Sequence, residues 1–405
     1  MSSANTLAPV ATETREGRYR SLDGIRGIGA VLVVAVHGLL VLPGSLWRPL
    51  PELTESERIF QYVTLEGYTV GDAAVRVFFA LSGFVLALML LNPLQPSYRS
   101  FVVRRICRIY LPYIVVIVAA MFLMTVTRPR PIAELSWWLN RSWTKPITTG
   151  LVIDHVLMLG RRRYNFVDNP IWSLVQEMRY SLIFPVMFWI AQRVRWVVAI
   201  GCSLTVAVAA RLAMAHFGYN GVINSIQFVF LFFAGAVLAI HRDNAVRCFR
   251  GLPPMAKVAT GVATMFLINA GLFGFSPHRA VRGFGLIAPD LGAALLILAV
   301  IGSSRMSKVL ETRPLQWLGR ISYSLYLSHL VVLLTLIMTL HSFVPISVIL
   351  LFYPFLSLAL ADVLYRKLER PAVQLGRYLA NRIDGEPSGQ PGLAAAARSH
   401  SLTRS

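Results

Sequence analysis

Apolar residues run along the chain in long blocks, interrupted by short joints that carry arginine, proline and small polar residues. Ten blocks stand out, near 22–42, 73–92, 109–127, 171–191, 196–215, 224–241, 256–274, 285–302, 321–340 and 347–365. Each approaches the roughly 17–25 residues that an α-helix needs to cross a bilayer. The pattern predicts an all-α membrane protein, a polytopic bundle of about ten transmembrane helices. No internal repeat and no second soluble domain are evident. The expected division is a polar N-terminal segment at 1–20, a membrane unit at 21–375 and a tail at 376–405. The tail is rich in small and polar residues and is expected to be disordered.

Composition agrees with lipid as the main solvent. The chain of 405 residues is 56% hydrophobic and only 14% charged, against about 25% charged in soluble domains. A net charge of +20 invites a nucleic-acid reading. However, the basic residues form clusters between apolar blocks and match no binding fold, so no nucleic-acid partner is expected. Most of them (Arg15, Arg18, Arg20, Arg99, Arg104, Arg105, Arg108, Arg193, Arg195, the 242–257 and 305–320 joints and the tail) fall on one side if the blocks alternate. The positive-inside rule then puts both termini in the cytoplasm. Arg161–Arg163 fall on the other side, in the long 128–170 segment, and loops of that length obey the rule less strictly. The cysteines (Cys107, Cys202, Cys248) are scattered and support neither a zinc site nor a disulfide framework. The N-terminus lacks a signal-peptide pattern, so the first block is expected to stay as an anchor.

Several ionisable residues lie inside the predicted spans: His37, Arg76, Glu177, Arg179, Arg211, His329 and Asp362. Such groups mark function by default, with a structural ion pair or an arginine snorkelling to the interface as the competing reading. The structural reading is favoured for Arg76, Arg211 and Asp362. His37 differs, because it lies eleven residues after Arg26. That is close to three helical turns, or about 16 Å of rise. One helix face thus carries a cation at the surface and an imidazole well inside the bilayer. Glu177 enters the fourth span from the opposite side at comparable depth and needs a proton or a cationic partner. His37 is one candidate. Arg179, two residues on, faces elsewhere on a helix. Arg104, Arg105 and Arg108 sit at the cytoplasmic end of the third span, where guanidinium forks can hold phosphate or anionic lipid headgroups. There is no G-x-S-x-G, P-loop, H-E-x-x-H or H-x-x-x-x-D motif.

These residues carry a resemblance. "LDGIRGIGAVLVVAVHG" with Arg26-x10-His37 resembles the opening signature of the acyltransferase-3 family of integral membrane acyltransferases. "VRVFFALSGFVLAL", "RRICRIYLP", "NPIWSLVQEMRYSLIFP", "LGRISYSLYLSH" and "LERP" resemble its later elements, in family order over residues 20–375. The resemblance implies a ten-helix enzyme that moves an acyl group, commonly acetyl, from acyl-coenzyme A to a hydroxyl of a carbohydrate acceptor. Carried over position by position, His37 and Arg26 are the catalytic pair with Glu177 as acidic partner. Arg104, Arg105 and Arg108 are the coenzyme A site. Trp172, Ser173, Tyr323, Tyr326 and His329 are candidates for lining the acceptor path, with core packing as the competing reading. A second carboxylate and an aromatic follow the glutamate in many relatives. Here Met178, Arg179 and Tyr180 follow it, which bears on the acceptor.

The expected reaction needs no metal. Its expected partners are the lipid bilayer, acyl-coenzyme A (acetyl-CoA first) and a sugar-bearing acceptor, at a bacterial inner membrane. The oligomeric state stays open, with a homodimer among the options. The rival class is a polytopic transporter or flippase, which would predict inverted repeats with broken helices. A non-catalytic assembly partner of an envelope-polymer complex is the third reading.

Overall fold

The computed structural model describes residues 19–42, 55–93, 95–161, 166–276 and 278–385, with the side chains at 55–66, 275 and 279 outside the description. Among the described residues there is helix and turn but no strand, the architecture expected where lipid cannot satisfy backbone polar groups. The long helices are α1 (Arg20–Leu40), α2 (Glu55–Leu91), α3 (Tyr98–Thr127), α4 (Ile171–Arg193), α5 (Trp196–Phe217), α6 (Gly221–Ile240), α7 (Pro254–Gly274), α8 (Arg279–Gly302), α9 (Arg313–Leu340) and α10 (Ile346–Leu364). A short π-helical turn at Tyr365–Glu369 joins α10 to α11 (Arg370–Asp384). Nine helices among the described residues are long and apolar enough to cross a bilayer. The fourth expected span, α4, has 23 residues, about 34 Å at 1.5 Å each. Glu177, Arg179 and several polar neighbours keep it out of that apolar set.

The helices end where the sequence says they should. Ser97 caps α3 by accepting from the Ser100 N–H at 3.3 Å. Asn220 caps α6 by accepting from the Val222 and Ile223 N–H groups. Gly218, at φ 82°, stops α5 in a conformation that glycine adopts without steric cost. Strict alternation returns α11 to the end of the bundle where α1 begins, hereafter the mouth end. Helix α11 runs through Asp384, so residues 376–384 of the segment expected to be disordered are helical. Its Ala372, Gly376 and Ala380 form a buried small-residue stripe that a reading of bulk hydrophobicity passes over. Residues 1–18 and 386–405 lie outside the described residues.

Two helices form the axis of the site. Helices α1 and α9 run parallel in one register, and α9 is the most enclosed of the spanning helices. Near the mouth, Gly27 meets Gly319. A Cβ on Gly27 would lie 2.7 Å from the Gly319 nitrogen, and one on Gly319 would lie 2.3 Å from the Asp23 carbonyl oxygen. Only glycine permits that approach. Ten residues deeper on both helices, about 15 Å along, the same register brings His37 to His329. The glycines of the G-I-R-G and L-G-R-I-S segments therefore set the distance between two imidazoles.

The far end is built by the 128–170 segment. Ser136 Oγ donates to the Leu40 carbonyl at 2.5 Å, and its N–H donates to the Val41 carbonyl. These bonds satisfy the open carbonyls at the C-terminus of α1. The attachment carries the short helix Trp137–Asn140 over the end of α1.

Arg76 and Arg211 converge on Asp290, which is fully buried in α8. Arg76 Nε also donates to Asp72 at 2.6 Å. Both arginines are buried and paired, and neither snorkels to an interface. Asp362 accepts from Arg366 at 2.8 Å and from the Trp317 indole N–H at 2.9 Å, the structural pairing expected of it.

Candidate active site

His37 and His329 are joined by one hydrogen bond, Nδ1 of the first to Nε2 of the second, at 3.0 Å. The backbone decides which atoms carry protons. His329 Nδ1 lies 3.0 Å from the Leu325 carbonyl oxygen, and a carbonyl only accepts. Nδ1 of His329 therefore bears the proton, and its Nε2 presents a lone pair. That lone pair can only accept from His37 Nδ1–H, which is also 3.0 Å from the Val33 carbonyl. Both contacts place the His37 proton on Nδ1. His37 Nε2 is left with a free lone pair, the atom of a base or a nucleophile.

The ring of Trp138 stacks on His37 at 5.3 Å between centroids and 29° between planes. His329 is fully buried, whereas His37 is half-buried, so the pair is supported from the core and accessible on the His37 side. Between the pair and the mouth lies a narrow open cleft, lined by Arg26, Ser82, Ser173, Glu177, Tyr323 and Tyr326 among others. Tyr326 marks its inner end. The Tyr326 hydroxyl bonds Ser173 Oγ at 2.7 Å and donates to the Pro170 carbonyl at 3.1 Å, and its ring lies 6.0 Å from that of His329. Tyr323 donates to the Ile109 carbonyl at 2.6 Å, which pins α9 to the third helix.

The three expected arginines do not form one cluster. A π-helical turn at Ile106–Tyr110 interrupts α3 within the R-R-I-C-R-I-Y motif, as such turns often do at functional sites. Arg104 points to α11 and donates to Asn381 Oδ1 at 3.2 Å. Arg105 is buried against α4, donating to Glu177 Oε1 and to Ser181 Oγ, each at 3.0 Å. Arg108 shares the mouth with Arg26, and Glu177 and Glu369 lie within electrostatic reach of Arg26. Neither Arg26 nor Arg108 has an acidic side chain within ion-pair distance among the described residues. Arg26 thus lines the cleft with Arg108 within its electrostatic reach, and among the described residues neither guanidinium is committed to a carboxylate.

The pairing of Glu177 with His37 is corrected. Glu177 is held by Arg105 and by Ser82 Oγ at 3.4 Å, on the mouth side of Tyr326, and the partner of His37 is His329. The guanidinium wins because it supplies a full charge and a fork of donors to the carboxylate. Arg179 faces away as expected, donating to the Gly221 carbonyl and to Ser225 Oγ, each at 2.7 Å. Trp172 does not line the cleft. It packs among Phe79 and Phe228.

Four residues escaped the sequence reading. Glu369 of "LERP" is buried in the second π-helical turn and accepts from Ser324 Oγ at 2.6 Å. Its signal was an acidic residue closing an apolar span. Asp290 sits inside the eighth span and was legible by the same rule that flagged Arg76. Trp138 and Asp168 lie in the far-end segment, whose sequence has no spanning pattern to phase it. No group of three or more histidine, cysteine, aspartate or glutamate side chains converges as a metal site among the described residues.

The chain was compared with known families, curated proteins and solved structures. The acyltransferase-domain model of the acyltransferase-3 family matches residues 19–366, which contain both imidazoles, the cleft and the mouth arginines. Among curated proteins and among solved structures there is no match.

Proposed function

The chain belongs to the acyltransferase-3 family, and on that premise we propose that this membrane acyltransferase takes its acyl group from acyl-coenzyme A, acetyl-CoA first, and delivers it to a hydroxyl of a carbohydrate acceptor. The observation that carries the reading is the His37–His329 bond, which leaves His37 Nε2 unprotonated beyond the inner end of a cleft that Arg26 lines, with Arg108 in its electrostatic reach. The donor's phosphates dock on Arg26 and Arg108 at the mouth, the cytoplasmic face in this reading. The pantetheine arm follows the cleft past Glu177 and Tyr323 to Tyr326. Arg105 serves indirectly, by neutralising Glu177 so that the wall beside the phosphates is not anionic.

His37 Nε2 removes the acceptor's hydroxyl proton as the oxygen attacks the thioester carbonyl. The C–S bond then breaks, and the coenzyme A thiolate takes the proton back from His37. While His37 is protonated, its Nδ1–H stays bound to the neutral His329, which spreads the charge and fixes the ring. The role resembles that of the carboxylate in a catalytic triad, with a neutral acceptor in its place. General-base help of this kind is worth about 10²–10⁴ in rate.

The donor half is tested by titrating coenzyme A into the detergent-purified protein. Wild type binds, while Arg26→Gln and Arg108→Gln each weaken binding about tenfold, the loss of one charge-assisted contact. Arg104→Gln costs less, because Asn381 holds that guanidinium. A folded wild type that binds no coenzyme A would remove the donor assignment.

A further inference from the structure

Asp168 is only 1% exposed, and neither of its carboxylate oxygens has a hydrogen-bond partner. No cation stands within ion-pair distance of it among the described residues. It lies in the joint before α4, outside the membrane-spanning helices, where burial pushes its carboxyl well above the usual carboxylate range. A buried polar group left unpaired is costly, and native proteins keep one mainly where something else completes it.

The surroundings hold this carboxyl in place without satisfying it. Trp143 clamps the backbone just before it, donating its N–H to the Phe166 carbonyl and its indole N–H to the Val167 carbonyl, both at 2.8 Å. Trp143 does so at φ 60°, a left-handed conformation that costs a residue with a side chain. On the other side, the Pro170 carbonyl accepts from the Tyr326 hydroxyl and from Ser173 Oγ, each at 3.1 Å. Tyr113, Tyr326 and Tyr353 all lie within electrostatic reach of the Asp168 carboxyl. Tyr326 neighbours His329, and Tyr353 donates to the Val34 carbonyl, one turn before His37. Asp168 thus lies at the end of the bundle opposite the mouth, and Tyr326 and Tyr353 link its surroundings to the helix turns that carry the imidazole pair. Trp138, already stacked on His37, belongs to the same far-end segment.

We propose that Asp168 is the acceptor-binding residue: its carboxyl bonds a hydroxyl of a sugar next to the one that is acylated, and the sugar enters from the end opposite the donor. The inference rests on the acyltransferase reading and names where the acceptor sits. A carboxyl suits the vicinal hydroxyls on the edge of a sugar ring, and Trp138, partly exposed in the same segment, suits the C–H groups on its face. A simple alkanol would leave the carboxyl as unpaired as before. The transfer step is unchanged: the attacking hydroxyl still gives its proton to His37 Nε2, and the C–S bond still breaks to release the thiolate.

The test uses the full chain in nanodiscs, with radiolabelled acetyl-CoA and the methyl glycosides of glucose, galactose, mannose and N-acetylglucosamine as acceptor probes. Asp168→Leu should raise the glycoside KM about tenfold, the loss of a buried hydrogen bond, while coenzyme A affinity stays at the wild-type value. Asp168→Asn, which keeps hydrogen-bonding atoms, should lose less than Asp168→Leu. Melting provides the second readout. A carboxyl that only awaits a ligand gives a variant at least as heat-stable as wild type, whereas a structural carboxyl gives a lower Tm. Unchanged glycoside KM in both variants would overturn the inference and leave the acyltransferase reading standing, as would a loss of heat stability that parallels the loss of transfer. A wild type that hydrolyses acetyl-CoA but acetylates none of the glycosides would remove the acceptor assignment alone. Loss of both activities in the wild type would remove the underlying reading as well.

Discussion

His329→Leu and His329→Gln take away different things from His37. Leucine removes the acceptor for His37 Nδ1–H and leaves only the Val33 carbonyl to orient the ring. Glutamine keeps an acceptor oxygen in about the same place. The account predicts that leucine lowers kcat by about 10²-fold and that glutamine restores part of that loss, with little change in donor KM, because the pair acts in the transition state. Initial rates at varied acyl-coenzyme A separate the two parameters. An equal fall in both variants through KM would mean that His329 shapes the donor channel. His37 and Arg26 were legible in the sequence because each ionisable group stood out against an apolar helix. The His37–His329 bond was not, since it joins residues on the first and ninth spans and depends on a helix register that no local pattern encodes. Glu177 was found by the same contrast. Its partner was misjudged because depth in the bilayer does not say which face of a helix meets which neighbour.

At the level of elements, the α1–α9 contact converts glycine into chemistry. The approach of Gly27 to Gly319 sets the helix spacing that closes the 3.0 Å bond ten residues deeper. Gly319→Leu should force the helices apart and abolish transfer while the protein remains inserted and soluble in detergent. Size-exclusion profile and activity measured on the same preparation check this, and full activity would show that the register is not needed.

The Asp290 lattice ties α2, α5 and α8 together. Breaking a buried ion pair from one side costs about 3–5 kcal/mol, because the remaining charge stays buried and unpaired. Asp290→Ala strands Arg211 and leaves Arg76 with Asp72 alone, and should lower the Tm by several degrees. Arg211→Met combined with Asp290→Leu should recover much of that loss, because Arg76 keeps Asp72. A thermal melt in detergent reads both. The spans themselves were legible because apolar length is a strong signal. The two π-helical turns and the amphipathic α11 were not, since each departs from the 3.6-residue pattern or from bulk hydrophobicity.

For the whole molecule, ten helices in alternation return both described ends to the mouth side, where most of the basic residues collect. The positive-inside rule predicts that this side is cytoplasmic, the side from which the proposed donor would dock. Cys248 is exposed in the mouth-side helix Arg242–Gly251, while Ser342 is exposed at the far end. In intact cells a membrane-impermeant maleimide should label Ser342→Cys and spare Cys248 until the membrane is opened. The reverse pattern would put the Arg26–Arg108 mouth outside and deny it cytoplasmic acyl-coenzyme A. Family membership assigns acyl transfer, and the transporter reading has no residue of its own in this arrangement.

The measurement that tests the central claim most directly sets wild type beside His37→Ala, both purified and folded, with radiolabelled acetyl-CoA and the glycoside probes. The account predicts that both bind coenzyme A with similar affinity and that only the wild type transfers the label. Transfer by His37→Ala at the wild-type rate would contradict it.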